Sequence, residues 1–328
     1  MKYSGPTIFE LGESEALKRA VAVFKRGEHT LVGSGDDAAV IASAGKYVVT
    51  TDTMVEGRDF RNDFSSGYDL GYKAVASNVA DVAAMGAKPT ALVVAVVVTT
   101  STTVAWLEHF AAGLQAGIDN LAPGAEIVGG DIARGTEIVI AVTAHGELSA
   151  EPVLRSGAQP GDVVALAGTL GRAACGLDLL LSPDETLAKA YDEWVEVQLR
   201  PNPPIALGQL AAGIATAMMD VSDGLSTDAT RLAKASGVSI KLSSGSLSGY
   251  EAVLELAAQS MVARGFVASE RDWVLHGGED HSLLATFPAG AVLPRGFKVI
   301  GEVIAQAAHP LYLDSEPLVA KGWDSVSS

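Results

Sequence analysis

Apolar runs alternate with short polar turns along the whole chain, and their lengths switch between strand and helix size. A helical pattern runs from Ser14 to Arg26, with Ser14 placed to cap it and Gly27 to stop it. The runs "AAVIAS" and "KYVVTT" are strand-like, and the alanine-rich "YDLGYKAVASNVADVAAMGAKP" predicts a helix ended by Gly86 and Pro89. Ala91 to Val98 is an unbroken apolar run of strand length, followed by a helical "VAWLEHFAAGLQAGIDNL" and two further strands, "AEIVGGD" and "EIVIAVTAHGEL".

The segment "SAEPVLRSGAQPGD" interrupts this order with two prolines and two glycines, and places a domain boundary near residue 150, giving domains 1–148 and 149–328. A second alternating series follows. "VVALAGTLGRAACGLDLLL" and "TAMMDVSDGLSTDATRLAKASG" each predict strand, turn and helix. "VSIKLSS", "HSLLATFP" and "FKVIGEVI" predict strands, and "YEAVLELAAQSM" one helix. The class is α/β with α+β mixed sheets in two domains; periodicity leaves strand order open.

Composition narrows the partners. Of 328 residues, 48% are hydrophobic and 19% charged, which suits packed domains, and the net charge of −16 gives no attraction for nucleic acid or an anionic membrane. An anionic substrate would need bridging cations. One cysteine, Cys175, excludes an internal disulfide and fits a reducing cytoplasm, and the opening "MKYSGPTIFELGESEALKRA" has no apolar segment of signal-peptide kind. The run at 91–98 is too short to cross a bilayer.

Aspartates cluster at the ends of the apolar runs. Asp36 and Asp37 follow a Gly-Ser-Gly turn, Asp52 closes "KYVVTTD", Asp131 closes "AEIVGGD", and Asp220 and Asp223 flank Ser222. Adjacent carboxylates repel unless a cation relieves them; the bland alternative is a solvated acidic turn. Each lone Asp can equally be a cap or turn residue, and Ser222 or Asp223 is placed to cap the helix beginning near Gly224. Lys73, Ser77, Asn78 and Asp81 recur at helical spacing as one polar stripe, read either as a solvated face or as part of a site. Oxygen donors at strand ends suit magnesium, which bridges carboxylates to substrate phosphates. No GxxxxGK[ST] loop and no kinase-type glycine loop with an HRD segment is present.

The ordered motifs "GSGDDAAV", "TTDTMVEG", "SNVADVAAMGA", "GGDIARG", "LRSGAQPGD", "DVSDGL" and "GGED" resemble those of thiamine-monophosphate kinases, in the superfamily of aminoimidazole ribonucleotide synthetase and selenophosphate synthetase. The resemblance runs from about residue 30 to the C-terminus. It implies a two-domain fold like that of aminoimidazole ribonucleotide synthetase, with N-terminal domains pairing into a barrel across a homodimer. It also implies ATP as co-substrate, several Mg2+ ions, and direct transfer of the γ-phosphoryl group to thiamine monophosphate. On matching positions it implies Asp37, Thr50, Thr51, Asp52, Asp81, Asp131, Asp220 and Asp223 as metal ligands. Gly130, Asp131, Arg155 and Ser222 match nucleotide contacts, and Asp59, Glu279 and Trp323 positions near the acceptor.

Two positions depart from the pattern: Asp59 stands where the family usually has His, and His281 where it usually has Tyr. Asp59 beside a phosphate repels it unless it binds a metal or turns toward Arg58 or Arg61, and His281 suits packing. Three rivals remain at this level. One is another kinase or synthetase of the superfamily with a different phosphorylated acceptor. A selenophosphate or hydrogenase-maturation type needs a reactive cysteine that Cys175, inside an apolar helix, does not supply. The third is a metal- or nucleotide-binding protein without turnover.

Overall fold

The structure, a computed structural model, describes residues 5–11, 13–25, 30–32, 40–43 and 45–322. Asp36, Asp37 and Trp323 lie outside the described residues. Among the described residues the chain divides into two compact units, Met1–Val82 with Ala87–Ser149, and Ala83–Gly86 with Ala150–Ser328.

The first unit runs α1 (Ile8–Leu11), α2 (Glu13–Val21), β1 (Thr30–Val32), β2 (Val40–Ile41), β3 (Tyr47–Val55), α3 (Gly67–Ala84), β4 (Lys88–Val98), α4 (Val104–Leu121), β5 (Glu126–Arg134) and β6 (Val139–Glu147). β3, β6, β4 and β5 form a four-stranded sheet in that order, with β4 and β5 parallel and the other pairs antiparallel. Alternation sorts its faces: Leu92, Val94, Val96, Ile140, Val142 and Ala144 are buried on one side. Helix α3 lies over that side, since a Cβ at Gly146 would meet Val82 Cγ1 at 2.3 Å. The opposite side carries Tyr47 and Val49, which remain 62% and 57% exposed.

Glycine permits the close crossing of α3 and α4. A Cβ at Gly113 would stand 2.0 Å from Tyr68 O, and one at Gly71 would stand 2.1 Å from Phe110 O. Thr103 starts α4, its hydroxyl accepting from Trp106 N at 3.2 Å.

The second unit runs β7 (Val163–Ala167), α5 (Arg172–Leu181), α6 (Glu185–Ala190), α7 (Asp192–Leu199), α8 (Ile205–Ala211), β8 (Ala217–Val221), α9 (Leu225–Ser236), β9 (Ser239–Leu242), α10 (Ser244–Ala252), α11 (Glu255–Ala263), α12 (Glu270–His276), β10 (Ser282–Phe287), β11 (Phe297–Ile304), β12 (Leu311–Leu313) and β13 (Glu316–Pro317). Its mixed seven-stranded sheet has the order β13-β12-β9-β11-β7-β10-β8. Leu166, Met219, Ile240, Leu284 and Ile300 from the strands meet Leu179, Trp194 and Leu232 from the helices in one core. Cys175 is wholly buried there, and burial pushes its thiol up, which keeps it inert.

Three expectations change. The first helix, expected to reach Arg26, ends at Val21. "YEAVLELAAQSM" divides into α10 and α11 around Val253 and Leu254, without a Gly or Pro to announce the break. The cap expected of Ser222 or Asp223 falls to Gly224, whose φ of 102° suits glycine and which offers no side-chain bond to α9.

Candidate functional site

In the first unit, Thr50 and Asp52 sit on edge strand β3 with their side chains on the helix-covered face, and Asp81 on α3 reaches Thr50. Thr50 Oγ1 donates to Asp81 Oδ2 at 2.9 Å. The polar stripe on α3 is not a solvated face: Lys73 and Asn78 are only 5% and 1% exposed, and Ser77 is buried with them. Asn78 Nδ2 donates to Ala74 O at 2.9 Å. Thr51 points to the other face, where its hydroxyl donates to Val142 O at 2.9 Å.

Register places Asp131, another residue expected to bind metal, elsewhere. Asp52 pairs with Val142, Val142 with Val94, and Val94 with Gly130, so one row crosses the sheet from edge to edge. Three strand spacings of about 4.8 Å put Gly130 about 14 Å from Asp52. Asp131, one residue on, is exposed and faces the opposite side. Within one chain Asp131 and the Thr50–Asp52–Asp81 group cannot hold the same ion. Gly130 itself is required by the sheet, since a Cβ there would meet Val94 O at 2.1 Å.

Asp59 closes the turn after β3. Its Oδ2 accepts from Val55 N at 2.8 Å, and Arg61 pairs with Asp63 at 2.5 Å instead of turning to it. The backbone amide of Val55 thus stabilises this carboxylate.

In the second unit the motifs "DVSDGL" and "GGED" lie side by side. Glu279 N donates to Ser222 O at 2.9 Å and His281 N to Val221 O at 3.1 Å. A Cβ at Gly278 would stand 2.2 Å from Ser222 O, so glycine allows this approach. Asp220, Ser222, Asp223 and Glu279 thus gather at one end of β8 and β10, the strand-end position where ligands collect in α/β folds. His281 Nδ1 lies 3.2 Å from Asp220 Oδ2, and both residues are buried. Glu279 holds a left-handed φ of 66° and accepts from Gln198 Nε2 at 2.6 Å. Asp280 turns inward instead: Thr169 Oγ1 donates to it at 2.6 Å, and burial raises its carboxyl above the usual range.

Arg231, one turn and a half into α9, pairs with Asp223 and, at 2.8 Å, with Asp228. Burial, then repulsion from Asp220, pushes Asp228 up to about 7. Arg155 does not join this group. Its carbonyl accepts from Ser236 Oγ at 3.0 Å, at the far end of α9 from Asp223, and a helix of twelve residues rises about 18 Å. Sequence reasoning missed Arg231, Asp228 and Gln198. The spacing of Asp228 and Arg231, three apart on a helix, was a readable sign of an ion pair; Gln198 carried none, because its meeting with Glu279 is purely tertiary.

The donors fit magnesium. Thr50, Asp52 and Asp81 in one unit, and Asp220, Asp223 and Asp228 in the other, offer hard oxygens, and the latter repel one another in a buried setting. Among the described residues no three His, Cys, Asp or Glu side chains are grouped so that they could hold a metal ion by themselves.

Residues 35–148 match the model of AIR synthase related protein, N-terminal domain, and residues 159–311 that of its C-terminal domain. A thiamine-monophosphate kinase of Mycobacterium tuberculosis is 40% identical over 323 residues, covering 98% of this chain and 93% of the relative. The chain belongs to the thiamine-monophosphate kinase family. The Corynebacterium glutamicum member is 39% identical over 333 residues, covering 98% of this chain and 95% of its own. Among solved structures, thiamine-monophosphate kinase from Stenotrophomonas maltophilia superposes with a TM-score of 0.76 at 30% identity, covering 93% and 96% of the two chains. AaThiL complexed with AMPPCP and TMP gives a TM-score of 0.75 at 30% identity and covers 96% of each chain. Hydrogenase maturation protein HypE, at 20% identity and a TM-score of 0.65, shares the fold alone. A kinase of this family with a mixed two-domain α/β fold is what the architecture and the sequence jointly establish.

Proposed function

We propose that this chain transfers the γ-phosphoryl group of ATP directly to thiamine monophosphate, giving thiamine diphosphate and ADP. One observation carries the reading: AaThiL complexed with AMPPCP and TMP superposes over 96% of this chain, at 30% identity and a TM-score of 0.75. Phosphoryl transfer asks mainly for in-line positioning and neutralised phosphate oxygens, and an acceptor that is itself an ionised phosphate needs no base. Bound magnesium would supply the neutralising charge.

Asp37, Thr50, Thr51, Asp52, Asp81, Asp131, Asp220 and Asp223 are the proposed ligands, Thr51 through its main-chain oxygen because its hydroxyl is engaged in the sheet. Thr50 orients Asp81. Gly130, Asp131, Arg155 and Ser222 are assigned to the nucleotide. Asp59, Glu279 and Trp323 are assigned to the acceptor, Trp323 by stacking on the cationic thiazolium. Residues 1–148 form the nucleotide, metal and dimerisation domain, and 149–328 the domain with the acceptor-contacting tail.

A homodimer whose N-terminal sheets close into a barrel belongs to the same reading. Support comes from the open sheet face with Tyr47 and Val49, and from Asp131, which rises from that face apart from its fellow ligands. Incubation with MgATP and thiamine monophosphate should yield thiamine diphosphate and one ADP per product, with no label left on the protein after exposure to γ-labelled ATP alone. ADP formation independent of the acceptor, or transfer only to another phosphorylated acceptor, would refute the assignment. Sedimentation should give twice the chain mass.

A further inference from the structure

We infer that His281 sets the cation preference of the second unit by occupying one oxygen of the Asp220 carboxylate. The inference rests on the magnesium reading above. Asp220 is 3% exposed on β8, and His281 is 6% exposed just before β10. Their contact is Nδ1 to Oδ2 at 3.2 Å; when Asp220 serves as an anionic ligand its carboxylate only accepts, so the ring donates from Nδ1. The backbone of His281 is held beside Asp220. Its own backbone N–H is bonded to Val221 O at 3.1 Å, on the strand that bears Asp220, and its φ of 50° is left-handed.

The neighbouring carboxylates are managed differently. Asp223 and Asp228 share Arg231, a permanent cation that offers its charge to both. Asp220 instead receives a single ring N–H on Oδ2, which leaves its other oxygen for an ion. Monodentate carboxylate ligation suits magnesium, which is small and demands octahedral geometry, whereas calcium accepts bidentate carboxylates and more ligands. A donor behind a liganding carboxylate also fixes its orientation, a contribution usually read as a 10- to 100-fold effect on metal affinity. His281 is therefore a positioning residue for the ion, and it favours magnesium over calcium.

Thermal unfolding of the full chain, titrated separately with MgCl2 and CaCl2 in the presence of AMPPCP, tests this without reading turnover. His281→Asn places an amide donor near the Nδ1 position and tolerates the left-handed backbone, so its magnesium midpoint should stay within about threefold of the parent. His281→Leu should raise the magnesium midpoint about 10-fold and shift calcium much less, lowering the selectivity ratio. A folded Leu variant with the parental ratio would overturn the inference, as would a parent chain with no magnesium midpoint. Should the Leu variant fail to fold, His281→Gln replaces it: Gln carries its amide too far out for Oδ2 and should lose selectivity, and identical behaviour of Asn and Gln refutes the role. A parent that binds magnesium normally yet makes no thiamine diphosphate would refute the proposed acceptor and leave this inference standing.

Discussion

Thr50 and Asp81, thirty-one residues apart, meet through a 2.9 Å hydrogen bond that ties an edge strand to the helix covering its sheet. The bond helps to aim the carboxylate, and it is partly shielded from water. Thr50→Val keeps the shape and removes the donor. Stability should fall by only about 0.5–1.5 kcal/mol, while the magnesium concentration for half-maximal activity rises several-fold. Thr50→Ser should restore it. Kinetics at varied magnesium, with melting curves alongside, separate the two effects.

The adjacent glycines of "GGD" should respond oppositely to the same change. Gly129 has open space where a Cβ would stand, whereas Gly130 would press a Cβ against Val94 O at 2.1 Å. Gly130→Ala should cost about 1–3 kcal/mol or prevent folding, and Gly129→Ala should leave the melting temperature near that of the parent. Equal tolerance at both positions would show that the sheet does not need the second glycine.

Gln198 is 6% exposed, donates to Glu279, and leaves its own Oε1 buried without a partner. An orphaned acceptor of that kind costs about 1–3 kcal/mol, so replacing the amide by leucine of similar volume offsets most of the lost bond. Gln198→Leu should stay within about 1 kcal/mol of the parent in stability. It should raise KM for the acceptor and leave that for ATP unchanged, because the Glu279 carboxylate loses one of the partners that orient it. Initial rates with each substrate varied in turn check this.

His276 holds the chain near its end. Its Nδ1 lies 2.8 Å from Ser226 Oγ, which in turn donates to Lys321 O at 2.9 Å. Burial lowers the imidazole's pKa, so the folded state prefers the neutral ring. A group depressed in this way contributes fully above the ordinary value of about 6.5 and loses its contribution as pH falls through the depressed value. Melting temperature should therefore fall between pH 7 and 5 more steeply in the parent than in His276→Gln, which has no titrating ring. Parallel curves for the two proteins would remove His276 from the acid response.

Much of this molecule was legible along the chain because it depends on neighbours in sequence. The run at 91–98, the alanine-rich α3 pattern with Gly86 and Pro89 at its end, and the helical pattern of α4 declared their elements through period and end signals. The ordered aspartate and glycine motifs declared the family, since oxygen donors at strand ends and glycines at close approaches are local requirements. Three-dimensional pairing decided the rest. Register separated Asp131 from Asp52 by the width of a sheet and turned it to the other face, which no linear spacing encodes. By polarity alone the stripe Lys73–Ser77–Asn78 reads either as a solvated face or as part of a site, and only the packing of α3 shows it buried. Arg231 and His281 became partners of Asp223 and Asp220 because α9 folds back on β8 and β10 pairs beside it; hydrogen bonds and ion pairs depend on distance in space, and the sequence carries distance only along the chain.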